Sequence, residues 1–572
     1  MTSVPKILLL YAALLFCCSQ TQQLTVESPF EYRDVYLPEL PFDEGAALQL
    51  NSVDRDWGIW GHNLSVVLPR NPSPSVFAKS GNSINDEQFC FTSDALFDYI
   101  KEYIENNYGH DIPARFAILP NDNAVVCQCS RCRECGNTKG DASGAVYYLL
   151  ERLTGAFPRH LFFTSYYSTT RSLPDKPLPD NAGVLISAMS YPLSAVHTPQ
   201  EDAFESLLAR WAGVTDHVYV WDYINNFDDY FTPIPVFDVV QRRLQLYARA
   251  GVKGVFLNGS GPEYSTLSRV KTHIIAAMLI NPDMEWRPML RELCSELYPV
   301  TGNVISDFII RQEDMFTASG RSLPMYEGVA VAARTYLPVQ EFVQFHSELL
   351  TLTPNIKDPE LSEIQQMRRA MMFTRLELNR IMADTVGCAM MLDGLERLVQ
   401  QGIHSYSESG NSIESYITEY RYMLDRYRQN GNRNLLKGAR LRPLTALDED
   451  YNDISVLTDG LLGLPSSYHC GQLLSSADPA LRIAVPNEKG MRHLRVNMTR
   501  NPIYHIALPL SVSLTCDGRD LGRKVPRTTA GNLNRATVEF DIPSDCKGTL
   551  ILTVVRDKNE RTMALDEIEG FR

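Results

Sequence analysis

Between residues 30 and 257 the chain repeats one pattern: a short apolar run, a turn, then a stretch with apolar side chains at three- and four-residue spacing. The short runs are 30–36, 57–64, 116–119, 161–167, 184–190, 217–223 and 252–257. The helical stretches between them include 93–107, 144–153, 201–213 and 235–250. In 93–107, Leu96, Tyr99, Ile100, Tyr103 and Ile104 share one face. Parallel strands need a long crossover, and a helix is the usual one. The repeat therefore predicts an α/β fold, a parallel sheet covered by helices. Seven candidate strands suit a (β/α)8-type TIM barrel that is irregular or short of one strand. An open doubly wound sheet is the alternative, but no glycine-rich dinucleotide fingerprint follows a strand.

Outside that repeat the pattern changes three times. Lys6 precedes an apolar run over 7–18 and a polar segment, the order of a secretory signal over 1–23. Cys17 and Cys18 close the run and raise membrane attachment through an N-terminal lipid as an alternative to plain secretion. Export is expected either way. The barrel is expected over 24–268 and a helical domain over 269–432, where Met367, Met371, Met372 and Met382 read as helix packing. After a linker over 433–453, alternating apolar runs predict an all-β sandwich over 454–572. It has no tryptophan, leaving Tyr468 and Tyr504 as the nearby aromatic platforms for a sugar. Of Cys470, Cys516 and Cys546 in this region, one pair is expected to form a disulfide if any does. The formal net charge is -14 with no basic block, which sets nucleic acid aside.

The densest chemistry lies in 116–135, FAILPNDNAVVCQCSRCREC. An apolar run ends at Pro120 and Asn121, and Asp122 follows, where barrel enzymes place catalytic groups. Cys127, Cys129, Cys132 and Cys135 then occupy nine residues. So short a loop can wrap one tetrahedral ion, with zinc the expected metal. Disulfides or free thiols are the other readings. In each the cysteines brace the loop that positions Asp122.

Several fragments occur in order: WGIWGHNL, QFCFTS with Cys90, LPNDNAVVCQCSRC, SYYSTT, VYVWDYINNF and GVKGVFLNG. Together they resemble the bacterial family called domain of unknown function 4838, which is placed among barrel-fold glycoside hydrolases near the α-glucuronidases and β-hexosaminidases. The tail, with LTDGLLGLPSSYHC and ALDEIEGFR, resembles discoidin-like, galactose-binding-like modules. Family members often carry an extra α/β domain before the barrel. Here Phe30 follows the expected signal almost directly, so a form without that domain is expected. The resemblance implies an exported glycoside hydrolase, or a hydrolase-like binder of glycans, that needs no organic cofactor. Two carboxyl groups usually cleave a glycoside. Asp122, Asp222 and Glu263 follow or end predicted strands and are the candidates. His62, Asn63, Tyr166, Tyr167, Trp221 and Tyr223 sit near strand ends and are expected to contact sugar, with Tyr191 as a further aromatic. Strand neighbours face opposite ways, so Trp221 and Asp222 need not touch.

Overall fold

The computed structural model describes residues 27–81, 83–430, 433–529 and 532–572. The signal expected at 1–23, with Cys17 and Cys18, lies outside them. The described chain forms two compact units. The first holds the residues up to Asn225 with Pro235–Pro262 and Leu267–Pro324. The second holds Asn226–Ile234, Glu263–Thr266 and Met325–Arg572. Among the described residues no helix is long and apolar enough to cross a membrane.

In the first unit every apolar run of the repeat becomes a strand: β1 Tyr32–Tyr36, β2 Trp57–Ile59, β3 Arg115–Ala117, β4 Leu161–Tyr166, β5 Ala182–Ser187, β6 His217–Tyr223 and β7 Gly254–Asn258. They pair only in parallel, in the order β1-β7-β6-β5-β4-β3-β2. That is the cyclic order of a barrel, interrupted between β1 and β2. The barrel expected to be irregular or short of one strand is a curled, open sheet of seven parallel strands that does not close. At that edge β2 is three residues long and its register with β3 is irregular. Side chains span the gap instead. The Tyr32 ring meets Trp57 edge-on at 5.9 Å. Asp34 of β1 accepts from the Val53 backbone N–H at 2.7 Å and from the Tyr32 hydroxyl at 2.8 Å.

The concave face is filled by Tyr32, Trp57, Ala117, Leu119, Phe163, Leu185, Tyr219 and Phe256. Strand parity sorts β6 accordingly: Tyr219, Trp221 and Tyr223 point inward, and Val218, Val220 and Asp222 point outward. Gly254 faces Tyr219, where a Cβ would lie 2.5 Å from the ring, so a side chain there would displace the central aromatic. On the convex face lie helices Asp94–Asn107, Ser143–Ala156, Pro199–Ala212 and Phe237–Arg249. The face predicted for the first of these is the one buried: Leu96, Ile100 and Ile104 join Phe116, Val146, Leu150 and Phe162 in one cluster. Ser93 and Thr198 cap two of these helices by accepting from Leu96 N–H and Glu201 N–H.

The second unit contains helices Val329–Thr335, Val339–Leu352, Glu360–Ile381, Cys388–Val399 and Ile413–Asn430. Met367 and Met371 are buried within it, while Met382 is exposed. Two sheets follow, antiparallel except where Ile506–Ala507 pairs in parallel with Thr562–Phe571. One runs Arg442–Pro443, Ala480–Val485, Leu550–Val555, Ser511–Cys516, Arg519–Lys524. The other runs Leu473–Ser475, Thr562–Phe571, His493–Thr499, Asn532–Asp541, Thr528–Thr529. Their inner faces share a core of Leu481, Ile483, Leu494, Val496, Leu514, Leu552 and Leu565. Cys516 bonds Cys546, and Cys470 remains a buried thiol.

Candidate functional site

The strands of the first unit end on one rim, and their inward parity brings a specific set of side chains there. Tyr36 comes from β1, Trp221 and Tyr223 from β6, Ser187 from β5 and Tyr167 from the end of β4. Trp60 and His62 follow β2, and Asp122 follows β3 after Pro120 and Asn121. Gly61, at φ +58°, turns the chain between Trp60 and His62 beside the Trp221 ring. That left-handed backbone favours glycine. Trp60 packs on Trp221 at 6.1 Å and on Tyr36 at 5.7 Å, making a half-exposed aromatic wall.

Opposite chemistry adjoins it. His62 Nδ1 lies 2.5 Å from the Pro120 carbonyl oxygen, so Nδ1 carries the proton and, in the neutral ring, Nε2 is the acceptor. The imidazole lies 6.1 Å from the Tyr167 ring. The Tyr167 hydroxyl lies 3.5 Å from Met189 Sδ. Burial, then the charge of Asp122, hold that hydroxyl above the ordinary phenol value. Burial does the same to Tyr223, whose hydroxyl is 3.4 Å from Ser187 Oγ. Asp122 itself is exposed. Its neighbours are tied down: the Gln88 amide donates to the Asn121 carbonyl (3.0 Å) and to Asn123 Oδ1 (3.1 Å). The Glu87 carbonyl accepts from both asparagine side chains, at 2.8 and 2.9 Å.

The structure thus brings His62, Asp122, Tyr167, Trp221 and Tyr223 to one rim. Asp222, Tyr166 and Tyr191 instead pack against the covering helices. Asp222 faces outward and is 2% exposed. Its carboxylate accepts from Tyr223 N–H at 2.9 Å and from the Tyr247 hydroxyl, and it lies 3.9 Å from Arg243 Nη1. It is one half of a buried ion pair with the covering helix and does not meet Asp122 at the rim. Glu263 is exposed and belongs to the second unit. Tyr166, also outward, packs on Trp211 of the helix Pro199–Ala212 at 5.9 Å, and Tyr191 stacks on Phe204 at 4.0 Å. Asn63 is exposed just before the 3-10 turn Leu64–Val67.

Among the cysteines, Cys127, Cys129 and Cys132 converge, but their fourth partner is Cys90. The four Sγ atoms lie within 4.8 Å of one another. Cys135 is outside the group and ends the short helix Ser130–Glu134. Trp60, Tyr36 and Cys90 are the rim and cluster residues that sequence reasoning missed. Trp60 had a signal, three residues from Trp57 in WGIWGHNL. Cys90 had none, since 37 residues separate it from Cys127.

The second unit has its own buried polar group, also missed. His469 bridges Asp228 Oδ2, 2.9 Å from Nε2, and the Tyr451 hydroxyl, 2.5 Å from Nδ1. Tyr504 and Tyr468 donate to Asp228 at 3.3 and 3.4 Å. Tyr468 and Tyr504, the nearest substitutes for a tryptophan platform in the tail, are therefore committed to an internal carboxylate. The acidic run Asp228-Asp229 after β6 was the available signal.

The family described as "Domain of unknown function (DUF4838)" matches residues 22–309, half of the chain. Among solved structures, the chain is similar to a family GH115 4-O-methyl-α-glucuronidase with specificity for decorated arabinogalactans, at 11% identity over 87% of this chain and 68% of that one, TM-score 0.35. It is similar to a GH138 enzyme targeting pectin rhamnogalacturonan II at 8% identity over 95% and 85%, TM-score 0.32. CBM32-1 from a family 31 glycoside hydrolase of Clostridium perfringens is similar at 14% identity over 24% of this chain and 99% of that one, TM-score 0.18. These likenesses are distant, and no activity is carried over from them. No curated protein matches the chain.

Proposed function

The chain belongs to the family described as domain of unknown function DUF4838, and on that premise we propose that it is a glycoside-hydrolase-like protein that holds a carbohydrate on the rim of the first unit. The observation that carries the reading is that one rim collects the His62–Tyr167 pair, Tyr223 and the Trp60–Trp221 wall, with Asp122 following the neighbouring strand β3. A flat aromatic face suits the C–H face of a sugar ring, and the imidazole and phenols suit its hydroxyls. Asp122 is the carboxyl group of the acid–base step that breaks the glycosidic bond. The substrates are polysaccharides or host glycans. The protein is exported, a reading supported by the apolar run at 7–18 and by the Cys516–Cys546 disulfide, since disulfides persist in oxidising compartments.

The withdrawal of Asp222 into a buried ion pair favours a second reading, binding without cleavage. One experiment separates the two. The full chain and its Asp122→Asn and Trp221→Ala variants are tested against aryl glycosides and natural glycans, for turnover and for binding. Under the hydrolase reading, Asp122→Asn loses about 100-fold or more in turnover, as general acid–base groups do, and still binds. Under the binder reading, the wild type binds without turnover and Trp221→Ala weakens binding. Turnover or binding that both variants leave unchanged overturns the assignment to this rim.

A further inference from the structure

We infer that Cys90, Cys127, Cys129 and Cys132 bind a single zinc ion, and that this ion clamps the segment carrying Asp122. Cys90 directly follows the hairpin of Phe77–Ser80 and Ser83–Phe89. The other three lie on the loop beyond Asp122 and on the first turn of Ser130–Glu134. Cys90 Sγ is 3.7 Å from Cys129 Sγ and 3.7 Å from Cys132 Sγ. Zinc–sulfur bonds of about 2.3 Å in a tetrahedron put the sulfurs about 3.8 Å apart. The sulfurs are unbonded, although the same chain closes Cys516 on Cys546. Four buried or half-buried thiols meeting at this spacing form a closed set of ligands.

The surroundings fit thiolates. Lys79 N–H donates to Cys127 Sγ at 3.3 Å, and Cys132 N–H donates to Cys129 Sγ at 3.4 Å. Thr92 Oγ1 lies 3.2 Å from Cys132 Sγ. Such donors spread the negative charge of a four-thiolate site. All-sulfur tetrahedral sites suit zinc, and a site without an open position is structural.

The position of the ion suggests what it does. Lys79 also accepts from Gln128 N–H at 2.7 Å, and Glu87 and Gln88 grip Asn121 and Asn123. The hairpin therefore holds both sides of Asp122, and the ion fastens hairpin to loop at Cys90. This positioning role rests on the reading of Asp122 as the rim carboxyl group; the metal site does not.

The test is metal content of the purified full chain, measured independently of any glycan. We expect one zinc per chain, released stoichiometrically by an organomercurial. Cys135→Ser should keep it, and Cys90→Ser should lose it. Should Cys90→Ser not fold, exchange of cobalt into the wild type and Cys135→Ser provides the second measurement, with a tetrahedral four-sulfur spectrum expected in both. No stoichiometric metal, iron in its place, a disulfide among the four by mass, or loss of the ion in Cys135→Ser overturns the proposal. A chain that holds zinc but whose glycan turnover and binding survive zinc removal keeps the site and refutes the clamp.

Discussion

Replacing Asp222 by Asn distinguishes a structural carboxylate from a catalytic one. Asn removes the charge and keeps one of the two acceptor oxygens, which take the Tyr223 N–H and the Tyr247 hydroxyl in the native protein. What it leaves is the Arg243 guanidinium, 6% exposed, with the Tyr191 and Pro192 carbonyls as acceptors at 3.1 and 2.9 Å. At the observed 3.9 Å, two unit charges interact by about 4 kcal/mol at an effective dielectric of about 20. Breaking a buried pair by removing one partner costs about 3–5 kcal/mol. The two figures agree, so Asp222→Asn should destabilise the first unit by about 4 kcal/mol. At ~2–4 °C per kcal/mol, its thermal midpoint should fall by about 8–16 °C. Urea unfolding followed by circular dichroism reads the free energy. Arg243→Met should cost a similar amount. The double variant should cost much less than the sum, because neither charge is then stranded. Glycan binding at low temperature, where the variant is folded, should be unchanged. A variant as stable as wild type, within ~0.5 kcal/mol, that has lost turnover or binding would refute the reasoning and return Asp222 to the reaction.

Two further measurements probe the frame of the site. Burial raises the Asp34 carboxyl from 3.8 to about 7, although bonds from Tyr32 and Val53 pull the other way. Between those values the folded protein holds a proton that the unfolded chain has lost, so stability falls as pH rises from about 4 to about 7 and is flat above. The loss from this one group is about 4 kcal/mol. Asp34→Asn should remove that part of the slope and be the more stable protein at pH 8; parallel wild-type and variant stability curves would contradict the account. Opening the Cys516–Cys546 disulfide, which closes a sequence separation of 30, should cost about 3–4 kcal/mol. Urea unfolding of Cys516→Ser reads it, and an unchanged midpoint for the second unit would show that the bond constrains little.

The periodicity alone identified all seven strands and the four covering helices, because each element repeats its own spacing and buries a face that the repeat exposes to view. Even the orientation of Asp222 was half legible. Trp221 and Asp222 must face opposite ways, but which one faces inward depends on Tyr219, whose ring fills the concave side against Gly254. Position at a strand end was therefore a weaker guide than parity counted from the core. The cysteines show a different limit. Spacing along one loop proposed Cys135 as the fourth sulfur, whereas Cys90 arrives from a hairpin far away in sequence. Tyr468 and Tyr504 were visible as aromatics, but not their use, since Asp228 reaches them from a segment 240 and 276 residues away.

The sequence by itself determined the parallel α/β unit, the β-rich tail and the rim position of Asp122, because these follow from local periodicity and turn chemistry. Only the tertiary structure decided that the sheet stays open between β1 and β2, that Asp222 is an internal ion pair and that Cys90 completes the thiol cluster. Each of those outcomes depends on which distant backbones approach closely enough to fill a core, pair a charge or crowd four sulfurs. No spacing along the chain encodes such a distance.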